Sequence, residues 1–356
     1  MQKVLTWLQG RLADQQLVML LASLFIIFAL LLVLGDVLAP LLVAIALAYV
    51  LDDIIDLLNR CQIPRIIAIS LVVSGALLLV LFALLTVLPL LTDQVGRLIA
   101  QAPQFVTSMK ESFQSIHANY ASWVNPDYLQ QMVATTASQI QAWGGQLLSF
   151  SIASIPELIT LLVYAVLVPV LVFFLLKDKA AIVLWAQRFL PQERTLLQRV
   201  WSEVDIQIGN YIRGKVWESV VVGVVMWLAY ALMEHDYALL LGTLTGISVW
   251  IPFVGAAVVT IPVIFLSFFQ WGWSDMMLYG LLAYTLIQLV DANIIVPWIF
   301  SEMVSLHPIA IVVAVLVFGS LWGVLGVFIA IPMAALVQSV LTIIFERKGR
   351  SDTLVD

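Results

Sequence analysis

Charged side chains are scarce in this chain. Asp, Glu, Lys and Arg together make up 11% of its 356 residues, where a soluble domain carries about a quarter, so an ordinary water-exposed globule is excluded. Cys61 is the single cysteine, which rules out an intramolecular disulfide and any cysteine-built metal site. The three histidines, His117, His235 and His307, are far apart and show no ligand spacing; no metal and no other cofactor is expected. The chain lacks a G-x-x-x-x-G-K-S/T phosphate loop, which excludes ATP hydrolysis by the chain itself. No Ser-His-Asp or Cys-His arrangement stands out, and an enzyme is the poorer reading. The formal net charge of −6 gives no basis for nucleic-acid binding. Short segments alternating apolar and polar residues, the mark of a transmembrane barrel, are also missing.

Apolar residues fill the chain instead, at 63% with a mean hydropathy of +1.07. They stand in continuous runs of about 18 residues or more, long enough to cross a bilayer as α-helices. The fold class is therefore all-α, a polytopic transmembrane helical bundle of about eight hydrophobic segments. Residues 1–91 hold three of them: Leu17 to Leu34 after a start with Lys3 and Arg11, Val37 to Leu51 after a tight reversal at Gly35-Asp36, and Ile66 to Leu91. The first run is longer than a usual signal-peptide core and a second span follows at once, which disfavours cleavage. Asp52, Asp53, Asp56, Arg60 and Arg65 mark a return to water.

Residues 92–150 turn Gln- and Ser-rich, with Val95, Leu98, Ile99, Phe105, Met109, Phe113 and Ile116 at roughly helical spacing. They are predicted as an extracytoplasmic amphipathic helical region lying against the bilayer. Residues 151–176 form the fourth span. Residues 177–215 carry Lys177, Lys179, Arg188, Arg194, Arg199, Arg213 and Lys215, with Leu197, Val200, Trp201, Val204, Ile208, Tyr211 and Ile212 along one helical face. The earlier loop has only Arg97 and Lys110, so the basic excess places 177–215 and the N-terminus in the cytoplasm. Residues 216–346 make up a C-terminal transmembrane transport core, whose fifth span opens with Glu218 close enough to the inner surface to be solvated. Residues 347–356, with Arg347, Lys348 and Arg350, are a cytoplasmic tail.

Two runs in that core, Tyr237 to Phe269 and Ile309 to Phe345, are too long for one straight crossing of about 20 residues. The first is interrupted at Pro252 to Gly255; the second is interrupted from Gly319 through Gly323 and Gly326 to Pro332. With the basic tail inside and Met276 to Ile299 as one span between them, both runs are single broken spans or both are hairpins. Two helical hairpins are the favoured drawing. Proline removes a backbone donor and glycine loosens the helix, so each break frees polar backbone groups that need a cavity or a ligand. Interrupted segments of this kind are a pointer to a transporter site.

Between the breaks, Gln288, Asp291 and Asn293 lie within two helical turns of each other in an apolar run that then meets Pro297 and His307-Pro308. Polar groups at membrane depth usually face a pathway or a partner. A carboxylate there suits a proton or sodium ion, and the two amides offer donors and acceptors to a polar solute. A structural role for Asp291 and Asn293, bonding the frayed backbone of a neighbouring hairpin, stands about level. His307 sits at the outer or inner mouth, where capping fits it better than proton relay.

The ordered segments FFLLKDK, NYIRGKV, IPFVGAAVVTIP, QLVDANIIVP, LHP and WGVLGVFIAIP resemble those of the AI-2E family, the autoinducer-2 exporters, and most closely its PerM-like branch of permeases. The resemblance covers nearly the whole chain and maps onto Gly214, Pro252, Gly255, Gln288, Asp291, Asn293, Pro297, His307, Pro308, Gly323, Gly326 and Pro332. It implies a multi-pass permease of the bacterial inner membrane that exports a small polar signal in some members and exchanges sodium or lithium for protons in others. The expectation is secondary transport of a small polar solute by alternating access, with H+ or Na+ as possible coupling ion, both termini cytoplasmic and the lipid bilayer as surroundings. The alternatives are a sodium(lithium)/proton antiporter and a non-transporting oligomeric scaffold that docks partners through residues 92–150 and 200–212. The broad apolar segments are compatible with a homo-oligomer.

Overall fold

The computed structural model describes residues 15–119, 135, 155–188, 195–252, 254–300 and 307–352. Among these residues every regular element is helical. Most of the expected region beyond Asn119, up to residue 150, lies outside them.

Helix α1 (Gln15–Arg60) is one run of helical backbone, but its limbs Leu21–Gly35 and Val37–Arg60 meet at 115°. The absent side chain of Gly35 leaves room for the indole of Trp322, which a Cβ there would approach to 3.0 Å. A turn through Gln62, at φ 64°, leads into α2 (Arg65–Asn119). The expected boundary at residue 92 is no break, because α2 passes through it without interruption. Helices α3 (Ile155–Lys177) and α4 (Lys179–Gln187) follow. Helix α5 (Thr195–Leu232) joins the expected surface helix to the expected fifth span in one element. Its buried residues Val200, Val204, Tyr211, Val222, Met226 and Tyr230 keep a single helical face over eight turns, so no signal divides it at residue 215.

Both overlong runs double back. In the first, α6 (Ala238–Ser248) and α7 (Val254–Trp271) form a hairpin whose tip includes residues 249–252. Its open ends are tied together: Asp236 N–H donates to Gln270 Oε1 at 2.9 Å and Gln270 Nε2 donates to Glu234 O at 2.8 Å. After α8 (Asp275–Val290) and α9 (Val296–Ile299), helix α10 (Pro308–Asp352) contains the second reversal. Trp322 and Gly323 leave helical geometry, with Gly323 at φ 58°, a left-handed conformation that glycine adopts without strain. Ala314 and Phe318 then pack on Ala330 across the two limbs.

The tightest approach in each hairpin is a glycine. A Cβ on Gly255 would lie 1.8 Å from Ser248 O, and one on Gly326 would lie 1.8 Å from Phe318 O. The two tips touch through Trp250 and Phe328, with ring centroids 4.4 Å apart.

Two apolar cores hold these elements. One joins Ala44 and Ile55 of α1 to Ala68, Ile69 and Val72 of α2 and Val168, Val172 and Leu176 of α3. The other joins Met226 and Tyr230 of α5, the first hairpin, and Tyr284 of α8. A polar seam links the bodies: Tyr49 bonds Asp205, Arg213 Nη1 lies 3.1 Å from Asp53, and Lys179 Nζ lies 2.9 Å from Asp52. By length and apolarity, among the described residues, four helices suffice to cross a bilayer: Arg65–Gln101, Val200–Leu232, Val254–Trp271 and Asp275–Ile299. The bent pair in α1 makes a fifth.

The hairpin glycines predict a simple stability pattern. Gly255→Ala and Gly326→Ala each force a Cβ onto a backbone oxygen and are expected to destabilise the protein by about 1–3 kcal/mol, seen as a lower Tm in detergent. Gly75→Ala, with nothing within 4 Å, is expected to leave Tm unchanged or slightly raised.

The turn between α5 and α6 adds a pH dependence. His235 is buried among Tyr230, Tyr237 and Trp271; its Nδ1 accepts from Tyr237 N–H, and Nε2 has only a loose contact with the Leu266 carbonyl. Burial pushes its pKa down to about 4, against a partial offset from Asp236. The folded state thus binds fewer protons than the unfolded chain between the two pKa values. The resulting stability is complete above pH about 6.5 and lost as pH falls towards 4, by up to roughly 3 kcal/mol. Thermal melts at pH 7.5 and 5.0 are expected to show that loss, flattened in His235→Gln.

Candidate functional site

Helix α5 carries Tyr211, Lys215 and Glu218 at spacings of four and three, one above another on its buried face. Lys215 bridges two partners: Nζ donates to the Glu218 carboxylate, at 2.9 Å from Oε1 and 2.8 Å from Oε2, and to Val249 O, at the tip of the first hairpin, at 2.9 Å. Its charge also lies over the Phe300 ring, 5.3 Å from the centroid. Gly214 permits that approach, since a Cβ there would come within 2.7 Å of Ile299 Cγ2 and of the Phe300 ring.

Glu218 is 2% exposed. The solvation expected for it is therefore wrong, and Lys215 is likewise not solvent-exposed. A Lys-Glu pair three residues apart reads from sequence as a solvent-facing ion pair. The available signal was phase: the buried stripe of Val204, Tyr211, Val222 and Met226 runs directly through positions 215 and 218.

The third charge comes from the adjoining helix. Between α8 and α9 the backbone widens into a π-helical turn at Asp291–Ile295, where Val296 N–H reaches back five residues to Asp291 O. Pro297 explains the widening, because its ring clashes with the carbonyl four residues earlier and it has no N–H to give. Asp291 is buried, with Oδ1 unpartnered, and interacts electrostatically with both Lys215 and Glu218. One turn earlier Gln288 has a buried, unpartnered Nε2. One cation thus interacts with two carboxylates, with an acceptor left open on Asp291 and a donor left open one turn earlier on the helix. A buried charge without compensation costs several kcal/mol, so the cluster suits a proton, a cation or a solute with hydrogen-bonding groups.

The other expected site residues go elsewhere. Asn293 is exposed, and its Nδ2 donates to Leu289 O at 2.8 Å within its own helix. His307 is exposed; its Nδ1 accepts from Ile309 N–H at 3.3 Å at the start of α10, next to Pro308. Pro252 lies in the first tip, Gly319 against Val327 and Pro332 in the second limb of the other hairpin.

The ion pair predicts an asymmetry between variants. Lys215→Met leaves Glu218 buried and unpaired and is expected to cost about 3–5 kcal/mol. Lys215→Met combined with Glu218→Met removes both charges and is expected to recover most of that loss. Chemical or thermal unfolding of purified protein reads the difference.

Residues 17–346 match the family described as AI-2E family transporter. The chain is 38% identical over 344 residues to the candidate permease PerM of Escherichia coli (strain K12), covering 96% of this chain and 97% of that one. It is 24% identical over 305 residues to the candidate transport protein YueF of Bacillus subtilis (strain 168), covering 84% and 82%. It is 22% identical over 335 residues to the AI-2 transport protein TqsA of Escherichia coli (strain K12), covering 91% and 90%. Its all-helical fold, its apolar membrane-length helices and this whole-length similarity agree: the chain belongs to the AI-2E family of transporters.

Proposed function

We propose that this protein moves a small polar solute across the bacterial inner membrane by alternating access, with Asp291 and Gln288 as the solute-facing groups. The single observation that carries the reading is an open acceptor, Asp291 Oδ1, that interacts with an ion pair bonded to the tip of a helical hairpin, with an open donor, Gln288 Nε2, one turn earlier on the same helix. A polar solute supplies the missing partners, and its loss leaves them bare. The two hairpins are the parts able to open a path on either side, since each ends in a break rather than crossing as a continuous helix. The basic residues of the 177–215 region and the tail support cytoplasmic termini.

The charge count favours a second component to the same reading. One lysine against two carboxylates is neutralised by one further positive charge, so a proton or a sodium ion entering with or against the solute fits Asp291. In proteoliposomes with imposed proton and sodium gradients, a pyranine signal and radiolabelled sodium report the cation, and a panel of small polar metabolites reports the solute. Asp291→Asn and Gln288→Ala are each expected to reduce solute flux by about tenfold or more, the effect of removing one buried hydrogen-bonding group. Fluxes equal to those of the unmodified protein place the site elsewhere, and absence of any saturable flux in the unmodified protein favours the scaffold reading.

A further inference from the structure

The first hairpin carries no Asp, Glu, Lys, Arg or His from Ala238 to Trp271, yet it is gripped around its tip by polar side chains of two neighbouring helices. Ser219 Oγ of α5 donates to Gly246 O at 2.7 Å, Lys215 Nζ to Val249 O at 2.9 Å, and Tyr284 OH of α8 to Ala256 O at 2.9 Å. All three take backbone carbonyls. Only one of the three donors is also bonded to the charge site. Gly242 and Gly246 press the first limb onto Gly223 of α5, where a Cβ on Gly246 would meet Ser219 O at 2.7 Å, so the limb is fixed by packing and the tip by its polar bonds.

We propose that Lys215 is a positioning residue that latches the hairpin tip to the charge site. The inference rests on the transport reading above for its purpose, but the latch itself is a property of the unliganded protein. The ammonium holds both partners at once: Nζ lies 2.8–2.9 Å from the two Glu218 oxygens and 2.9 Å from Val249 O. A change that draws Lys215 towards Asp291 moves its ammonium away from Glu218 and from the tip and so weakens both bonds. Charge in the site and closure of the tip compete for one group, which couples them without any charge on the hairpin itself.

The experiment reads tip opening directly and needs no flux. In a Cys61→Ser background, Ile251→Cys places a thiol in the tip and Trp273→Cys places one in the exposed connection between α7 and α8. Each is combined with Lys215→Met/Glu218→Met, with Lys215→Arg, or with Ser219→Ala, and N-ethylmaleimide labelling is timed in lipid nanodiscs. Loss of the charge-assisted bond is expected to speed labelling at position 251 by about tenfold in the Met/Met variant. Lys215→Arg, whose larger planar head cannot keep Glu218 and Val249 O at the positions they take around the compact ammonium, is expected to give about threefold, as befits a partial loss of such a bond. Ser219→Ala, which removes a comparable bond from the limb, is expected to stay within about twofold. The rate at position 273 should not move in any variant.

An unchanged rate at 251 in the Met/Met variant overturns the latch, as does an equal increase with Ser219→Ala. Should the Met/Met protein fail to yield a monodisperse sample, Lys215→Arg decides, and an unchanged rate there overturns the proposal. A latch that fails while solute flux still depends on Asp291 refutes only this inference. A latch that holds without any flux refutes only the transport reading.

Discussion

A broken helix inside a bilayer must find partners for every carbonyl it frees, because hydrocarbon offers none. At the tip of the first hairpin that requirement can be followed atom by atom. Thr245 O is taken by Ser248 Oγ, Gly246 O by Ser219 Oγ, Ile247 O by Trp250 N–H, Ser248 O by Ile251 N–H and Val249 O by Lys215 Nζ. Ile251 O is taken by Gly255 N–H and Ala256 O by Tyr284 OH. The reversal survives because a serine and a lysine from α5 supply donors to Gly246 O and Val249 O, while Ala256 O is shared between Tyr284 OH and the hairpin's own Thr260 Oγ1. From this constraint the placement of Lys215 follows, and from Lys215 the burial of Glu218, since an ammonium taken that deep needs a counter-charge.

The same constraint explains why both reversals use glycine where their limbs are closest. Gly255 against Ser248 O and Gly326 against Phe318 O stand at the point where each returning limb leaves its tip. Two unrelated kinks would not share that position. The sequence pairing of the two interrupted runs thus has a physical counterpart, two hairpins closed by the same device and touching through Trp250 and Phe328.

Hydrophobic patterning made the class and the two reversals legible, because long apolar runs and their Gly and Pro interruptions are local properties. What patterning could not place was depth and direction. Glu218 and Lys215 lie beside a cluster of basic residues in the chain, and only the continued phase of α5 turns them inward. Asn293 fails in the opposite sense: two residues beyond Asp291, it falls on the other side of the helix whether the turn is α or π, and its amide returns to the Leu289 carbonyl. Continuity was equally hidden. Nothing in the polar content of residues 92–119 or 195–215 shows that α2 and α5 run unbroken through them, because amphipathic and membrane-spanning stretches both favour helix.

The division of labour between charge and motion is the last consequence. From Pro308 to Val340 the second hairpin, like the first, holds no ionisable side chain, so neither reversal carries a charge that would resist passage through hydrocarbon. The fixed charges stand on α5 and on the π-turn after α8, both parts of helices long enough to span the bilayer. A hairpin gripped by its carbonyls can be released by rotating a few side chains, at the cost of a few hydrogen bonds. One anchored by its own buried charge would have to break an ion pair costing several kcal/mol each time. A neutral hairpin held by a charged neighbour, as the first is by Lys215, thus leaves the fixed charge on the helix beside it, an arrangement consistent with the proposed transport.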